Sequence, residues 1–273
     1  MKLQTVPAHQ GALWVRQAFG TFLQKPLAYS GLFAAFMFFA LLMLLVPFVG
    51  PMLLLMALPL VSLGFMIATR QSIGDTFPLP SVFIDPLRTD ATRRTTMIKL
   101  GVAYALATVL IMWLSQAIDG GRFEALQQAM IDNDSTAKEV EALMSDGRLQ
   151  FGVLVRLSLA ALLSIPFWHA PALAHWGGQT FGQALFSSTL ACWRNKGAFI
   201  VYALTWVGLV VVFVLVANMV FSLLGQPRWM ALAAMPAGLI FSTAFYASLY
   251  FTYRDCFVQD DVESAAPATP HDA

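Results

Sequence analysis

The sequence predicts an all-α membrane protein, a polytopic bundle of six transmembrane helices with additional interfacial amphipathic helices. Of its 273 residues, 58% are hydrophobic and only 11% are charged, whereas about a quarter of the residues in a soluble domain are charged. The mean hydropathy is +0.69. Several apolar runs also reach the ~18 residues that indicate a bilayer span. We therefore expect residues 1–253 to form a single membrane domain.

The predicted elements follow from the apolar runs and from the turn residues between them. Spans are predicted at about 27–48, 52–69, 98–117, 152–173, 197–224 and 229–252. The segments 8–24 and 178–194, which precede the first and fifth spans, have helical spacing of their apolar residues and are predicted to lie at headgroup level. A short basic helix is expected at 87–97, before the third span. The acidic tail, 254–273, is predicted to be disordered.

The segment 118–150 is predicted to be a polar loop outside the membrane. It carries seven acidic and three basic residues. Two short helices are expected at 122–132 and 136–146, because Thr136 and Glu139 fit a capping box and Gly147 fits a helix stop. Segments on the side of the termini hold eleven Lys and Arg residues, against four on the other side. This bias predicts that both termini are cytoplasmic.

The three spans that start from the cytoplasmic side begin in a similar way. A lysine, at Lys25, Lys99 or Lys196, precedes each apolar run, and the words KLGVAYAL and KGAFIVYAL are close. Two interpretations stay open. One is a parallel structural repeat, as some transporters have. The other is that each such span needs a snorkelling lysine at the membrane surface.

The stretch SIPFWHAPALAHW, residues 164–176, lies at the end of the predicted fourth span. Pro166 and Pro171 are expected to kink or end the helix. His169 and His175 are six residues apart, so their rings do not share a helix face as zinc-binding pairs do. We therefore interpret them as interfacial histidines and expect no metal site.

Two segments resemble a family of uncharacterised multi-pass inner-membrane proteins of betaproteobacteria. The stretch 168–204 contains a W-x-A-P-A-L span end, an A-x-x-x-S helix and an Arg-Asn pair, and the stretch 6–33 resembles the start of the same family. The matching positions are Trp168, Ala170, Pro171, Ala172, Leu173, Ala184, Ser187 or Ser188, Arg194 and Asn195. The resemblance implies a bacterial inner (plasma) membrane protein and brings no assigned activity with it.

Motifs of catalysis and cofactor binding are not visible in the sequence. It contains no GxSxG, HExxH, P-loop or Rossmann pattern, so we expect no enzyme, no catalytic residues, no cofactor and no metal. Cys192 and Cys256 are far apart and form no CxxC motif. The net charge of +1 does not favour nucleic acid as a partner.

Four arginines are the candidate contacts to lipid or to another anion. Arg156 is the charged residue placed well inside a predicted span, where it is either a residue near the interface or an anchor for an anionic headgroup. The cluster of Arg88, Arg93 and Arg94, with Lys99, either sets the topology or contacts anionic lipid.

The lack of catalytic motifs and the presence of amphipathic segments predict a non-catalytic membrane component that binds lipids or a membrane-protein partner. The sequence indicates no oligomeric state. The alternative is a permease or exporter of a small amphiphilic molecule, favoured by the apparent repeat and the prolines. The predicted spans contain no Asp or Glu, and this argues against a proton- or sodium-driven carrier.

Overall fold

The chain is all-α, and its computed structural model describes residues 2–88, 90–132, 136–225 and 229–258. The helices are α1 (Gln10–Gln24), α2 (Pro26–Leu44), α3 (Val49–Ile73), α4 (Ala91–Asp119), α5 (Arg122–Ile131), α6 (Ala137–Met144), α7 (Gly147–Phe167), α8 (Ala170–Gly177), α9 (Phe181–Arg194), α10 (Lys196–Leu223) and α11 (Trp229–Cys256). Strand β1 (Lys2–Leu3) pairs antiparallel with β2 (Phe257–Val258). Two 3-10 turns, Pro80–Phe83 and Asp85–Arg88, lie between α3 and α4.

Six helical segments are long and apolar enough to cross a membrane. They are α2, α3, α4, α7 together with α8, α10, and the part of α11 from Ala233. The six predicted spans are thus confirmed, although several helices extend beyond the predicted ends. The largest difference is at α4, where the short basic helix expected at 87–97 is mostly the first part of the span helix itself. Asp90 caps this helix by accepting a hydrogen bond from the Arg93 N–H.

The polar segment between α4 and α7 folds largely as its capping residues predict. Thr136 and Glu139 form the capping box of α6. Gly147 does not stop α6, contrary to the prediction, but is the first residue of α7. The carboxylate of Asp146 accepts hydrogen bonds from the Arg148 and Leu149 N–H groups. Asp146 is therefore the N-cap of the fourth span helix, which begins earlier than predicted.

The chain divides into two compact units. The first unit comprises the residues up to Gln24 and those from Ala191 onward, and the second comprises Lys25–Leu190. In the second unit, α4 packs along α3 and α7, while α8 lies against α3 and α4. Because α2, α3 and α4 alternate in direction, Lys25, Arg70 and Arg93 lie at one end of this unit. We call this end the basic end, and the opposite end, which carries the 120–146 segment, the loop end.

In the first unit, α1 packs against α10 and α11. Trp14 and Ala18 of α1 are fully buried. A Cβ atom on Gly11 would lie only 2.1 Å from the carbonyl oxygen of Ala198, so the two backbones cross very closely at this point. The apolar face of the segment 8–24 is therefore covered mainly by protein. The segment 178–194 differs, since Phe186 and Trp193 of α9 remain exposed.

Both chain ends of the first unit are tied together by side-chain hydrogen bonds. The Asp255 carboxylate accepts bonds from Trp14 Nε1 at 2.9 Å and Gln10 Nε2 at 2.7 Å. Asn195, of the Arg-Asn pair, accepts from the Val6 N–H at 2.8 Å and donates to the Gln4 carbonyl at 3.1 Å. Residues 254–258, which the sequence assigned to a disordered tail, are thus ordered in α11 and β2. The remainder of that predicted tail lies outside the described residues.

Candidate lipid-contact sites

The stretch SIPFWHAPALAHW forms a hinge that a serine from another helix completes. In a continuous helix the His169 N–H would bond to the carbonyl of Ile165. Here the Ser188 hydroxyl lies between them, accepting from the His169 N–H at 3.0 Å and donating to the Ile165 carbonyl at 2.9 Å. A polar group inserted into the helical ladder is a known cause of sharp kinks. The break predicted from the two prolines is confirmed, whereas His169 is fully buried in the protein rather than displayed at a membrane surface.

We expect Ser188→Ala to lower the stability of the protein because it removes both hydrogen bonds that the Ser188 hydroxyl makes across the break between α7 and α8. A hydrogen bond contributes about 0.5–1.5 kcal/mol net, so the thermal unfolding midpoint in detergent should fall by several degrees. The matched control is Ser187→Ala, since Ser187 makes no hydrogen bond to another described residue. Equal midpoints for the two variants would contradict the hinge role of Ser188.

Arg156 lies at the loop end of the second unit and has a carboxylate beside it. Its Nη2 is 3.7 Å from Asp119 Oδ2, and its side chain is 18% exposed whereas that of Asp119 is fully buried. The guanidinium carbon lies 3.9 Å from the centre of the Phe123 ring. Asp119 belongs to α4 and not to the loop. The segment 118–150, predicted to be a loop, therefore gives its first two residues to the end of α4.

The local backbone explains how Asp119 comes to be buried. Gly120 and Gly121 both have positive φ, 65° and 79°, and end α4 directly after Asp119. The Gly121 N–H donates to Asp119 Oδ1 at 2.9 Å. On α7, a Cβ at Gly152 would lie 2.6 Å from the Asp119 Cβ, so glycine makes the room for the carboxylate. The GG pair that follows Asp119 is the sequence signal for this placement.

A second ion pair fastens α5 to the start of α7. Arg122 Nε donates to Asp146 Oδ2 at 2.6 Å, and Arg122 Nη1 donates to the Asp119 carbonyl at 3.2 Å. The hydrogen bond from Arg122 is the main reason that the pKa of Asp146 lies below its usual value. Asp146 thus stays charged while it caps α7, and the segment between α4 and α7 is anchored at both ends.

The basic cluster predicted at the start of the third span lies at the basic end. Arg88 is 3.8 Å from Asp85 and Arg93 is 3.1 Å from Asp90, and all four side chains are well exposed. Such surface pairs contribute about 0–1 kcal/mol. Arg94 is exposed and makes no ion pair with another described residue. The three arginines are therefore accessible at the basic end, and their contact with anionic lipid stays a prediction.

A cleft of about 450 Å³ lies between the starts of α4 and α9. Its lining residues are Ala91, Thr92, Thr95, Thr96, Lys99, Thr180, Phe181 and Gly182. We call it the Lys99 cleft. The positions 92, 95, 96 and 99 repeat at three and four residues, so they share one face of α4. Thr96 is 7% exposed, and its hydroxyl makes no hydrogen bond to a described residue. Lys99 was noticed in the sequence, but this threonine stripe was missed.

The six spans, with charged residues gathered at the ends of the helices, define a multi-pass helical membrane protein. The chain is 35% identical over 275 residues to a protein of Burkholderia thailandensis named Probable inner membrane protein BTH_II0599, and the match covers 99% of this chain and 98% of that protein. The chain therefore belongs to this family of betaproteobacterial multi-pass inner-membrane proteins, as the resemblance predicted. No protein-family model matches the chain. No solved structure matches it either.

Proposed function

We propose that this protein is a non-catalytic component of the inner membrane that binds anionic lipid in the Lys99 cleft. The observation that carries the proposal is the chemistry of the cleft. One ammonium group and four threonine hydroxyls, those of Thr92, Thr95, Thr96 and Thr180, line the same space. The ammonium group and the hydroxyls of Thr92, Thr96 and Thr180 have donors that no described residue uses, whereas the Thr95 hydroxyl donates to the Ala91 carbonyl at 2.8 Å. A lipid phosphate offers only acceptors.

Apolar surface beside the cleft suits the rest of a lipid molecule. Ile98, next to Lys99 on α4, is exposed, and so is Leu106 two turns further along the same helix. Phe186 and Leu190 expose apolar surface on α9, beyond the cleft residues Phe181 and Gly182. A headgroup in the cleft would therefore leave its acyl chains along exposed apolar side chains, which is the arrangement that a bound phospholipid requires.

The proposed orientation of the chain determines which membrane leaflet the Lys99 cleft would face. We place both termini in the cytoplasm on the eleven-to-four bias of Lys and Arg. The basic end would then face the cytoplasmic leaflet. Arg88, Arg93 and Arg94 would add attraction to this anionic surface, at about 1 kcal/mol for each basic residue near it.

A permease or exporter of a small amphiphilic molecule is the alternative. Its support is that Pro59, Pro166 and Pro236 lie inside α3, α7 and α11, and prolines in spans often accompany moving or broken helices. Net movement of a fluorescent phospholipid across reconstituted vesicles, dependent on the protein, would favour this alternative over simple binding.

The binding proposal predicts that Lys99→Gln weakens the retention of dioleoyl-phosphatidylglycerol. Loss of one basic contact worth about 1 kcal/mol corresponds to a decrease of about fivefold in affinity. Native mass spectrometry of the purified protein with this lipid added would measure the change. Thr96→Val should act in the same direction because it removes a buried hydroxyl from the cleft.

The control for this experiment is Lys138→Gln, which removes an exposed lysine in α6, far along the chain from the cleft. Its lipid retention should equal that of the unaltered protein. If Lys99→Gln and Lys138→Gln retain phosphatidylglycerol equally well, the cleft is not the binding site and the proposal is wrong.

A further inference from the structure

The order of chemical groups along one face of α4 matches the order of groups in a phospholipid. Thr92, Thr96 and Lys99 line the Lys99 cleft, and their spacing of four and then three residues keeps them on one face of the helix. Because α4 begins at Ala91, at the basic end, Lys99 lies about 10.5 Å further into the span than Thr92. From the basic end inward, the face therefore presents hydroxyl groups first and an ammonium group after them.

Beyond Lys99, the same face of α4 is apolar and exposed. Leu106, Leu110 and Trp113 are 57%, 54% and 63% exposed. They follow Lys99 by 7, 11 and 14 residues, so they continue its face over about 10–21 Å of helix. A lipid with its phosphate on Lys99 would have an acyl chain along these side chains, and its headgroup would extend toward Thr92.

Two hydroxyl groups of the cleft have hydrogen-bonding capacity for such a headgroup. Thr92 on α4 and Thr180, immediately before α9, are exposed, and neither hydroxyl makes a hydrogen bond to a described residue. The Thr95 hydroxyl differs, because it already donates to the Ala91 carbonyl. A hydroxyl both donates and accepts, so the best match for Thr92 and Thr180 is a headgroup that also carries hydroxyl groups.

The charge in the cleft disfavours a headgroup with an amino group. Lys99 is a cation, and the described residues that line the cleft include no Asp or Glu. The ammonium of phosphatidylethanolamine would therefore lie near a like charge without a carboxylate to pair with, and such arrangements lower affinity for the wrong ligand. A neutral headgroup that carries hydroxyl groups meets no such repulsion.

We propose that the Lys99 cleft selects phosphatidylglycerol, with the phosphate on Lys99 and Thr96 and the glycerol hydroxyls on Thr92 and Thr180. This inference rests on the proposed function, which requires only that an anionic lipid binds in the cleft. It adds that the threonines determine which headgroup binds.

The test is Thr92→Val, measured by native mass spectrometry with dioleoyl-phosphatidylglycerol and with dioleoyl-phosphatidic acid, which has no headgroup beyond its phosphate. The variant should fold normally, since the Thr92 hydroxyl makes no hydrogen bond to a described residue. We expect it to reduce retention of phosphatidylglycerol by about fivefold, the effect of one neutral hydrogen bond. Retention of phosphatidic acid should not change.

Thr108→Val is the matched control, because Thr108 lies on α4 outside the cleft and its hydroxyl donates to the Tyr104 carbonyl. It should leave the retention of both lipids as it is in the unaltered protein. If Thr92→Val loses both lipids equally, or loses neither, the threonine does not recognise glycerol and the inference is wrong. Soluble glycerophosphoglycerol that binds as tightly as phosphatidylglycerol would overturn the lipid as the ligand.

The Lys99→Gln experiment separates this inference from the proposed function. If Lys99→Gln weakens the retention of phosphatidylglycerol and Thr92→Val does not, the cleft binds anionic lipid without recognising glycerol, and only the inference fails. If Lys99→Gln has no effect, both fail.

Discussion

Asp119→Asn is expected to destabilise the protein more than Asp119→Asn combined with Arg156→Gln. The single change leaves the Arg156 guanidinium largely buried beside a neutral amide, while the double change removes both charges. Loss of one partner of a buried ion pair costs about 3–5 kcal/mol. Replacement of both partners avoids the uncompensated charge, and similar exchanges are often close to neutral. Denaturant unfolding in detergent micelles would measure both variants.

The control for this comparison is Glu141→Gln on the exposed side of α6. A surface change of this kind normally alters stability by no more than about 0.5 kcal/mol. The comparison also needs Arg156→Gln alone. Coupled residues must show an interaction energy, so the interpretation of Asp119 and Arg156 as a coupled pair fails if the effects of Asp119→Asn and Arg156→Gln simply add in the double variant.

Hydropathy predicts the number of spans in this fold better than it predicts where their helices end. It identified six spans because an uncharged apolar run of about 18 residues or more is typical of a bilayer-crossing helix. It misplaced helix ends where charged residues occupy the terminal turns of a span. Charged residues lower the hydropathy of a sequence window and so favour a loop there. Arg93 and Arg94 nevertheless lie within α4, and Asp119 is its last residue. The caps were better guides, since Thr136 was correctly identified, although Gly147 proved to begin a helix rather than end one.

The candidate sites were predicted only in part. Arg156 was noticed because a charge within an apolar run is conspicuous, but its partner Asp119 is 37 residues away in the sequence, and only the packing of α4 on α7 brings them together. The threonines of the Lys99 cleft are uncharged and lie outside the predicted spans, so neither charge nor hydropathy indicates them as candidate site residues. Ser188 illustrates the same limit, because its hydroxyl acquires a role only when α9 reaches the break after α7.

The pairing of the chain ends could not be predicted from local patterns either. The first helix packs on the last two spans, and contacts between residues more than 180 positions apart, such as Trp14 and Phe199, leave no periodic signal. Asn195 is the instructive case. The Arg-Asn pair was noticed only as part of a family resemblance, whereas the structure shows the Asn195 side chain holding the backbone of Gln4 and Val6.

Gly11→Ala is expected to disrupt this packing of α1. The added Cβ would lie 2.1 Å from the Ala198 carbonyl oxygen and 2.5 Å from the Tyr202 backbone nitrogen. Both are backbone atoms of α10, so the clash cannot be relieved by turning a side chain, and α1 must move away. Overpacking of this kind typically costs about 1–3 kcal/mol. The displacement would also pull Gln10 and Trp14 away from Asp255, which adds the loss of two hydrogen bonds to a carboxylate.

Gly20→Ala is the matched control on the same helix, because nothing lies within 4 Å of the Cβ that it would add. Alanine in a helix interior is more stable than glycine by about 0.5–1 kcal/mol, so this variant should unfold at the same or a higher temperature. Thermal unfolding followed by tryptophan fluorescence suits the comparison, since Trp14 is fully buried in the packing that Gly11 permits. Opposite signs for the two substitutions would show that close approach to α10, and not helix propensity, requires glycine at position 11. A stabilising effect of both would mean that α1 does not pack against α10 as closely as this distance indicates.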